Sequence, residues 1–228
     1  MKGFVVRMKY PYPFVLTAAA LLLSPVFAEE QEALKFELPK PFYGGTVISY
    51  WSPRLESTLY PTRKPILAPK GTSVVSLDKP VTASAAPTVG ELKQINDGNK
   101  EFGKTSLVEL PEGTQWVQID LEAPHAIHAI LLWHFHEGAR VYFDVIGQIS
   151  DDPEFKTGVT TFYNNDFDNS SGLGQGEDKE YIDISDGRLF ELKGKPGRYV
   201  RFSSRGNTAN DFNNYAEIEV WGKEANGE

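Results

Sequence analysis

Between positions 116 and 121 apolar and polar side chains alternate, with Val117, Ile119 and Leu121 on one face and Gln118 and Asp120 on the other. A strand sends successive side chains to opposite faces, so this period of two predicts a half-buried strand. Ala126–His134 is apolar on both faces, the pattern of a central strand. Lys79–Ser84, Val141–Ser150, Tyr181–Ile184, Leu189–Leu192, Arg198–Ser203 and Tyr215–Trp221 are further strand-forming runs. Turn residues separate them, as at Pro111-Glu112-Gly113, Asp151-Asp152-Pro153 and Gly194-Lys195-Pro196-Gly197. No helical period is longer than a turn at Val89–Gln94. About eight strands spaced by turns predict an all-β fold, an antiparallel β-sandwich or jelly roll. Tyr163–Glu180, rich in Asn, Asp and Gly, is too polar to form core and reads as a surface loop.

The strand pattern begins at Ser73 and ends at Gly222, so the sandwich is assigned to residues 73–222 and residues 223–228 form a tail. Residues 29–72 carry six prolines, which prevent long helices and interrupt sheet ladders. They also carry Phe36, Phe42, Tyr43, Tyr50, Trp51, Leu55 and Ile66, more apolar material than a free linker holds. This segment is expected to be an extended N-terminal arm lying on the sandwich, or else a docking segment for a partner protein. Residues 1–28 have the order of an export signal: Lys2, Arg7 and Lys9, then the ten apolar residues Phe14–Leu23, then Val26-Phe27-Ala28. A membrane span needs about 20 apolar residues, so the run is too short to be one. Cleavage near Ala28 is expected, giving a secreted protein, periplasmic or extracellular, with no membrane insertion afterwards.

Charge narrows the partners. The full chain has 23 Lys and Arg against 31 Asp and Glu. Residues 1–28 hold three of the bases and no acid, so the remainder has 23 − 3 = 20 bases and a net charge of 20 − 31 = −11. Such a surface repels nucleic acid and anionic headgroups, and it leaves neutral sugars and cationic partners. There is no cysteine, which excludes disulfides, thiolate metal sites and a Cys nucleophile. No G-x-S-x-G elbow, H-E-x-x-H pair or phosphate loop occurs. Acid pairs such as Asp151-Asp152 and Asp166 with Asp168 read as solvated turns, and a non-catalytic role is expected.

Six phrases carry a family resemblance: Lys79-Pro80-Val81-Thr82-Ala83-Ser84, Asn96-Asp97-Gly98-Asn99, Trp116–Leu121, Ile149-Ser150-Asp151-Asp152, Arg198-Tyr199-Val200-Arg201-Phe202 and Ala216–Gly222. In this order the chain resembles the discoidin family (coagulation factor 5/8 type C), whose galactose-binding-like jelly roll is similar to that of family 32 carbohydrate-binding modules. The resemblance spans about residues 73–222 and leaves out the arm. It implies a secreted binding module for a carbohydrate, glycan or polysaccharide. It also implies one structural calcium, held by Asp97 and Glu217 with carbonyls near Asn99 and Ala216; calcium takes oxygen ligands, and Gly98 permits the tight turn. The family's galactose-gripping Arg and Asn are replaced here by Leu132–Arg140, and the Trp that often comes shortly after the Asp-Gly-Asn turn is missing from Lys100–Leu110.

A saccharide site is expected where two loops meet at one end of the jelly roll. His134, Phe135, His136 and Arg140 come from the first loop and Arg205, Asn207 and Asn213 from the second, combining planar donors with a ring face. Trp133 and Phe143 are expected to be core. The alternative function is a cell-surface adhesion or assembly protein that binds another protein through the aromatic arm. The least favoured is a metal enzyme built on His134 and His136, which share a strand face but lack an evident third ligand.

Overall fold

Val117, Ile119 and Leu121 are buried, as their alternation predicts, but their strand is far longer than the pattern suggested. The computed structural model describes Gly3 and residues 29–41, 49–56, 63–101 and 106–225. The export signal lies outside the described residues apart from Gly3, as do Phe42 and Tyr43 of the arm. The strands are β1 (Gln31–Ala33), β2 (Leu67–Pro69), β3 (Ser73–Val74), β4 (Val81–Ala83), β5 (Val108–Leu110), β6 (Gln115–Trp133) and β7 (Arg140–Val141). They continue with β8 (Ile146–Ser150), β9 (Thr160–Asn164), β10 (Ile182–Asp183), β11 (Arg188–Ser204), β12 (Asn213–Tyr215) and β13 (Glu217–Glu224). One 3-10 turn, Leu92–Ile95, overlaps the turn expected at Val89–Gln94.

The two runs around 116–121 and 126–134 are one strand, β6, and those around 189–192 and 198–203 are likewise one strand, β11. Each changes partners at the same level. The first half of β6 pairs with β4 and with Tyr199–Ser204 of β11; its second half pairs with β13 and with Arg188–Glu191. β8 joins only the Tyr199–Ser203 half, and β9 follows it. Between the halves the ladder slips at Glu191/Lys195 and at Gly197/Tyr199. Glu122, Lys193 and Gly194 take positive φ there. Such irregularities bend a strand, and here they divide the ladder into two antiparallel layers.

Val117, Ile119, Val200 and Phe202 from one layer meet Ile130, Leu132, Ile218 and Val220 from the other in a single core. Gly147 admits the Phe162 and Phe202 rings into it. A Cβ there would stand 2.4 Å from a ring carbon of Phe162 and 2.9 Å from one of Phe202.

Ala126–His134 is apolar on both faces because both faces are covered. Leu131 and Trp133 point away from the main core and form a second cluster with Ala216, against which Phe36, Leu189 and Trp221 pack. Phe36 belongs to the arm and meets Trp221 edge-on at 5.2 Å. Further along, the Glu56 N–H donates to the Glu180 carbonyl at 2.9 Å, and Glu56 receives both Nη atoms of Arg188 at 2.8 and 2.7 Å. Arg63 donates to the carbonyls of Asp186 and Gly187. Bidentate Arg–carboxylate pairs combine strength with fixed geometry, so this part of the arm is held in register. A chain beginning at Thr72 is expected to melt several degrees lower and to self-associate, because Trp221 and the Trp133 cluster lose the cover of Phe36. Equal melting temperature and equal solubility in calorimetry and light scattering would show that the arm contributes nothing to the fold.

Candidate functional site

Strand register brings four connections to one end of the sandwich. Gln115 pairs with Ser204, Ser203 with Ile146, and Ile146 with Asn164. The segments that adjoin these residues, 111–114, 142–145, 165–180 and 205–212, therefore leave the sheet side by side. Between them lies an open cleft of about 550 Å³. Tyr50, Phe143 and Phe167 supply its rings, and Asn165, Glu180 and Arg205 are among its polar lining. Tyr50 comes from the arm. Its ring lies 5.8 Å from that of Phe143, and its hydroxyl donates to Glu180 Oε1 at 2.9 Å. Burial and the neighbouring Glu180 carboxylate push the Tyr50 phenol up to about 12, so it is a neutral donor at any physiological pH.

The polar 163–180 segment is ordered by its own side chains. Asp166 is fully buried and accepts bonds from the N–H groups of Ser170 and Ser171 and from the Ser171 hydroxyl. Its reading as a solvated turn is therefore corrected: the acid is an internal cap for the loop. Asp144, Asp166 and Asp168 bring carboxylate oxygens within 4.8 Å of one another. Burial raises the Asp144 carboxyl above the usual range, and the charges of Asp166 and Asp168 raise it further, against the opposing bond from Ser170.

The two loops expected to form the saccharide site do meet. Arg140 Nη1 donates to Asn214 Oδ1 at 3.2 Å, Tyr142 pairs with Asn207, and the Thr208 N–H donates to the Val141 carbonyl. Most of the seven side chains chosen there are spent on structure. His134 is fully buried, stacked on Tyr142 at 4.0 Å, with Nδ1 2.9 Å from Asp183 Oδ2. His136 is buried with Nε2 2.8 Å from the Lys100 carbonyl. Asn207 bonds within its own loop, and Asn213 ties Ser204 and Gly206 to Pro111 and Gly113. These four are buried and bonded within the fold in this conformation, because the loops close on their own polar groups. Phe135 and Arg140 are half-buried and cover each other at 4.3 Å. Arg205 is exposed and lines the cleft. Trp133 is buried as expected, whereas Phe143 is only half-buried and faces the cleft. Among the described residues, neither His134 nor His136 belongs to a group of three side chains able to share a metal.

A second polar site joins the Asp97-Gly98-Asn99 turn to the start of β13. Glu217, 1% exposed, accepts the Gly98 N–H at 3.2 and 3.3 Å, and Gly98 takes φ 84° to present it. Burial raises the Glu217 carboxyl to about 9, and the charges of Asp97 and Glu219 add to the rise. The nearest cation, Lys100, is paired with Glu219. A buried carboxylate with one weak donor and no paired cation matches the environment a divalent cation would neutralise. The resemblance names the carboxylates of Asp97 and Glu217, with the carbonyls of Asn99 and Ala216, as an all-oxygen donor set of the kind calcium takes, and the buried Glu217 carboxyl with its single Gly98 donor suits such an ion.

No family model and no curated protein sequence matches the chain. Solved structures do. A family 89 glycoside hydrolase from Clostridium perfringens superposes with a TM-score of 0.51 at 18% identity, over 67% of this chain and 15% of the enzyme. The fold is a discoidin-like β-sandwich. The CBM32 of AlyQ, solved with 4,5-unsaturated mannuronic acid, matches at 0.47 and 20% identity over 63% of this chain and 95% of its own. A Streptococcus pneumoniae fucose-binding module matches at 0.48 and 19% identity over 67% and 99%.

The discoidin-like sandwich thus holds a cleft whose main residues the sequence pattern did not mark. Phe143 sits in an apolar run and read as core. Glu180 falls in the polar 163–180 surface loop and Asp144 inside the Val141–Ser150 strand run. Tyr50 lies 130 positions from Glu180, and no local pattern joins them.

Proposed function

We propose that this chain is an exported, non-catalytic module that binds a carbohydrate in the loop-end cleft, with one structural calcium at Asp97 and Glu217. The observation that carries the reading is the cleft. It sets the rings of Tyr50, Phe143 and Phe167 beside planar and charged hydrogen-bonding groups at the end of a discoidin-like sandwich. A pyranose has apolar C–H faces that suit an aromatic ring and hydroxyls that suit such groups. The signal pattern in residues 1–28 supports export. Isothermal titration and NMR with a panel of mono- and oligosaccharides test the binding. Shifts are expected at the amides of Tyr50, Phe143, Asn165 and Arg205. A single open site should bind weakly, and a dissociation constant near 1 mM corresponds to only about 4 kcal/mol. Phe143→Ala should then weaken binding about tenfold, from lost stacking and lost contact area. Binding to no saccharide in the panel would overturn the reading.

A second reading has an observation of its own. Trp51 is 83% exposed and Leu67 64% exposed, both on the arm. An adhesion or assembly role would use these side chains against a protein partner, and Trp51→Ala would then abolish that contact while leaving saccharide binding intact.

A further inference from the structure

The cleft is built for positive charge. Among the described residues its charged lining is five carboxylates, Glu112, Asp144, Asp168, Glu180 and Asp211, against the guanidinium of Arg205, with that of Arg54 over the Phe167 ring at 4.0 Å. Crowding among acids is already felt there, since the charges of Asp166 and Asp168 help to raise the Asp144 carboxyl. A second, independent feature points to a ligand. Glu180 is only 5% exposed; its Oε1 accepts the Tyr50 hydroxyl, but its Oε2 is buried and has no hydrogen-bond partner among the described residues. A buried carboxylate oxygen left without a donor is costly, and it is usually satisfied by something outside the chain.

On these grounds we infer that the cleft selects a cationic amino sugar, a hexosamine whose amine is free and protonated. The inference rests on the carbohydrate-binding reading above and narrows it. Glu180 Oε2 accepts from the ammonium group, Asp168 and Asp144 lie on the same lining to share its charge, and Tyr50 and Phe143 cover the apolar ring faces. Neutral saccharides offer hydroxyl donors to the same oxygens but forgo the charge, and hydrogen bonds to charged groups are the stronger kind. Acidic sugars are repelled. The net charge of −8 over the whole chain extends the attraction beyond the cleft and makes it dependent on salt.

The test compares three probes by isothermal titration on the chain from residue 29: a β-1,4-linked glucosamine hexamer with free amines, the same hexamer fully N-acetylated, and hexalysine. At low salt the free-amine hexamer is expected to bind at least about tenfold more tightly than the acetylated one, and the gap should close at high salt. Glu180→Gln keeps an acceptor for Tyr50 but removes the charge, so it should erase most of the gap. Phe143→Ala should instead weaken both sugars together. Equal affinity for the two hexamers would overturn the charge selection while leaving carbohydrate binding in place. Hexalysine binding as tightly as the free-amine hexamer would overturn it in favour of a basic peptide. Failure of every saccharide, neutral ones included, would remove both readings.

Discussion

Trp133→Ala should lower the stability of the fold by about 3–5 kcal/mol, the usual cost of deleting a buried large aromatic. For a domain of this size that is a fall of roughly 6–20 °C in melting temperature. Trp133 is fully buried on the face of β6 opposite the main core. Its ring is enclosed by Leu131 and Ala216, with Phe36 and Trp221 packed on the cluster, and Lys100 Nζ stands 5.4 Å from the ring centroid. Gly187 approaches so closely that a Cβ there would lie 2.6 Å from the indole Nε1. The indole N–H donates to the Ser185 carbonyl at 2.9 Å. Alanine therefore leaves a cavity and an unsatisfied buried carbonyl together. Trp133→Phe should recover much of the packing and lose the hydrogen bond, falling between the two. Because the cluster includes Phe36, Trp133→Ala should also speed proteolysis within the arm. A melting temperature within 2 °C or so of wild type would show that this layer is not closed by the indole.

The sequence pattern was most legible where burial has a simple period. Val117, Ile119 and Leu121 alternate because one face of their strand meets the core. Ala126–His134 is apolar throughout because Trp133 and Leu131 meet a second layer, partly supplied by the arm. The pattern could not say that these two runs are one strand, since the link, Glu122–His125, contains an acid and a proline and belongs to neither run. In the structure those residues bend the strand from one layer to the other. The site was less legible for a physical reason. His134, His136, Asn207 and Asn213 have the chemistry of ligand contacts, yet His136, Asn207 and Asn213 are taken up by backbone groups and His134 by the Asp183 carboxylate. Glu180 and Tyr50 gain their roles only through contacts across 130 positions. Of the seven side chains chosen by residue type, Arg205 alone lines the cleft, and the rings and carboxylates beside it were not among them.

Calcium at about a hundredfold above its dissociation constant should raise stability by about 2.7 kcal/mol, because it binds the folded chain and not the unfolded one. That corresponds to a rise of roughly 5–11 °C in melting temperature, reversed by a chelator. The source of the effect is Glu217. Burial raises the carboxyl to about 9, the charges of Asp97 and Glu219 add to the rise and that of Lys100 opposes it, so the group is held in its neutral form at pH 7. Its remaining support is the Gly98 N–H at 3.2 Å, while Lys100 is committed to Glu219. A divalent ion supplies the missing charge and draws Asp97 into the same contact, clipping the 96–99 turn to the start of β13. Glu217→Gln separates this account from a general salt effect. Glutamine keeps an oxygen for Gly98 and carries no charge, so this variant should be at least as stable as the chelated wild type and should gain nothing from calcium. Asp97→Asn should retain part of the gain, because Glu217 and the carbonyls remain. Magnesium should substitute poorly, since it demands a tighter octahedral shell and gives up water reluctantly. Melting curves that superpose with calcium, with magnesium and with chelator would remove the ion from the fold and leave Glu217 as a protonated hydrogen-bonding group.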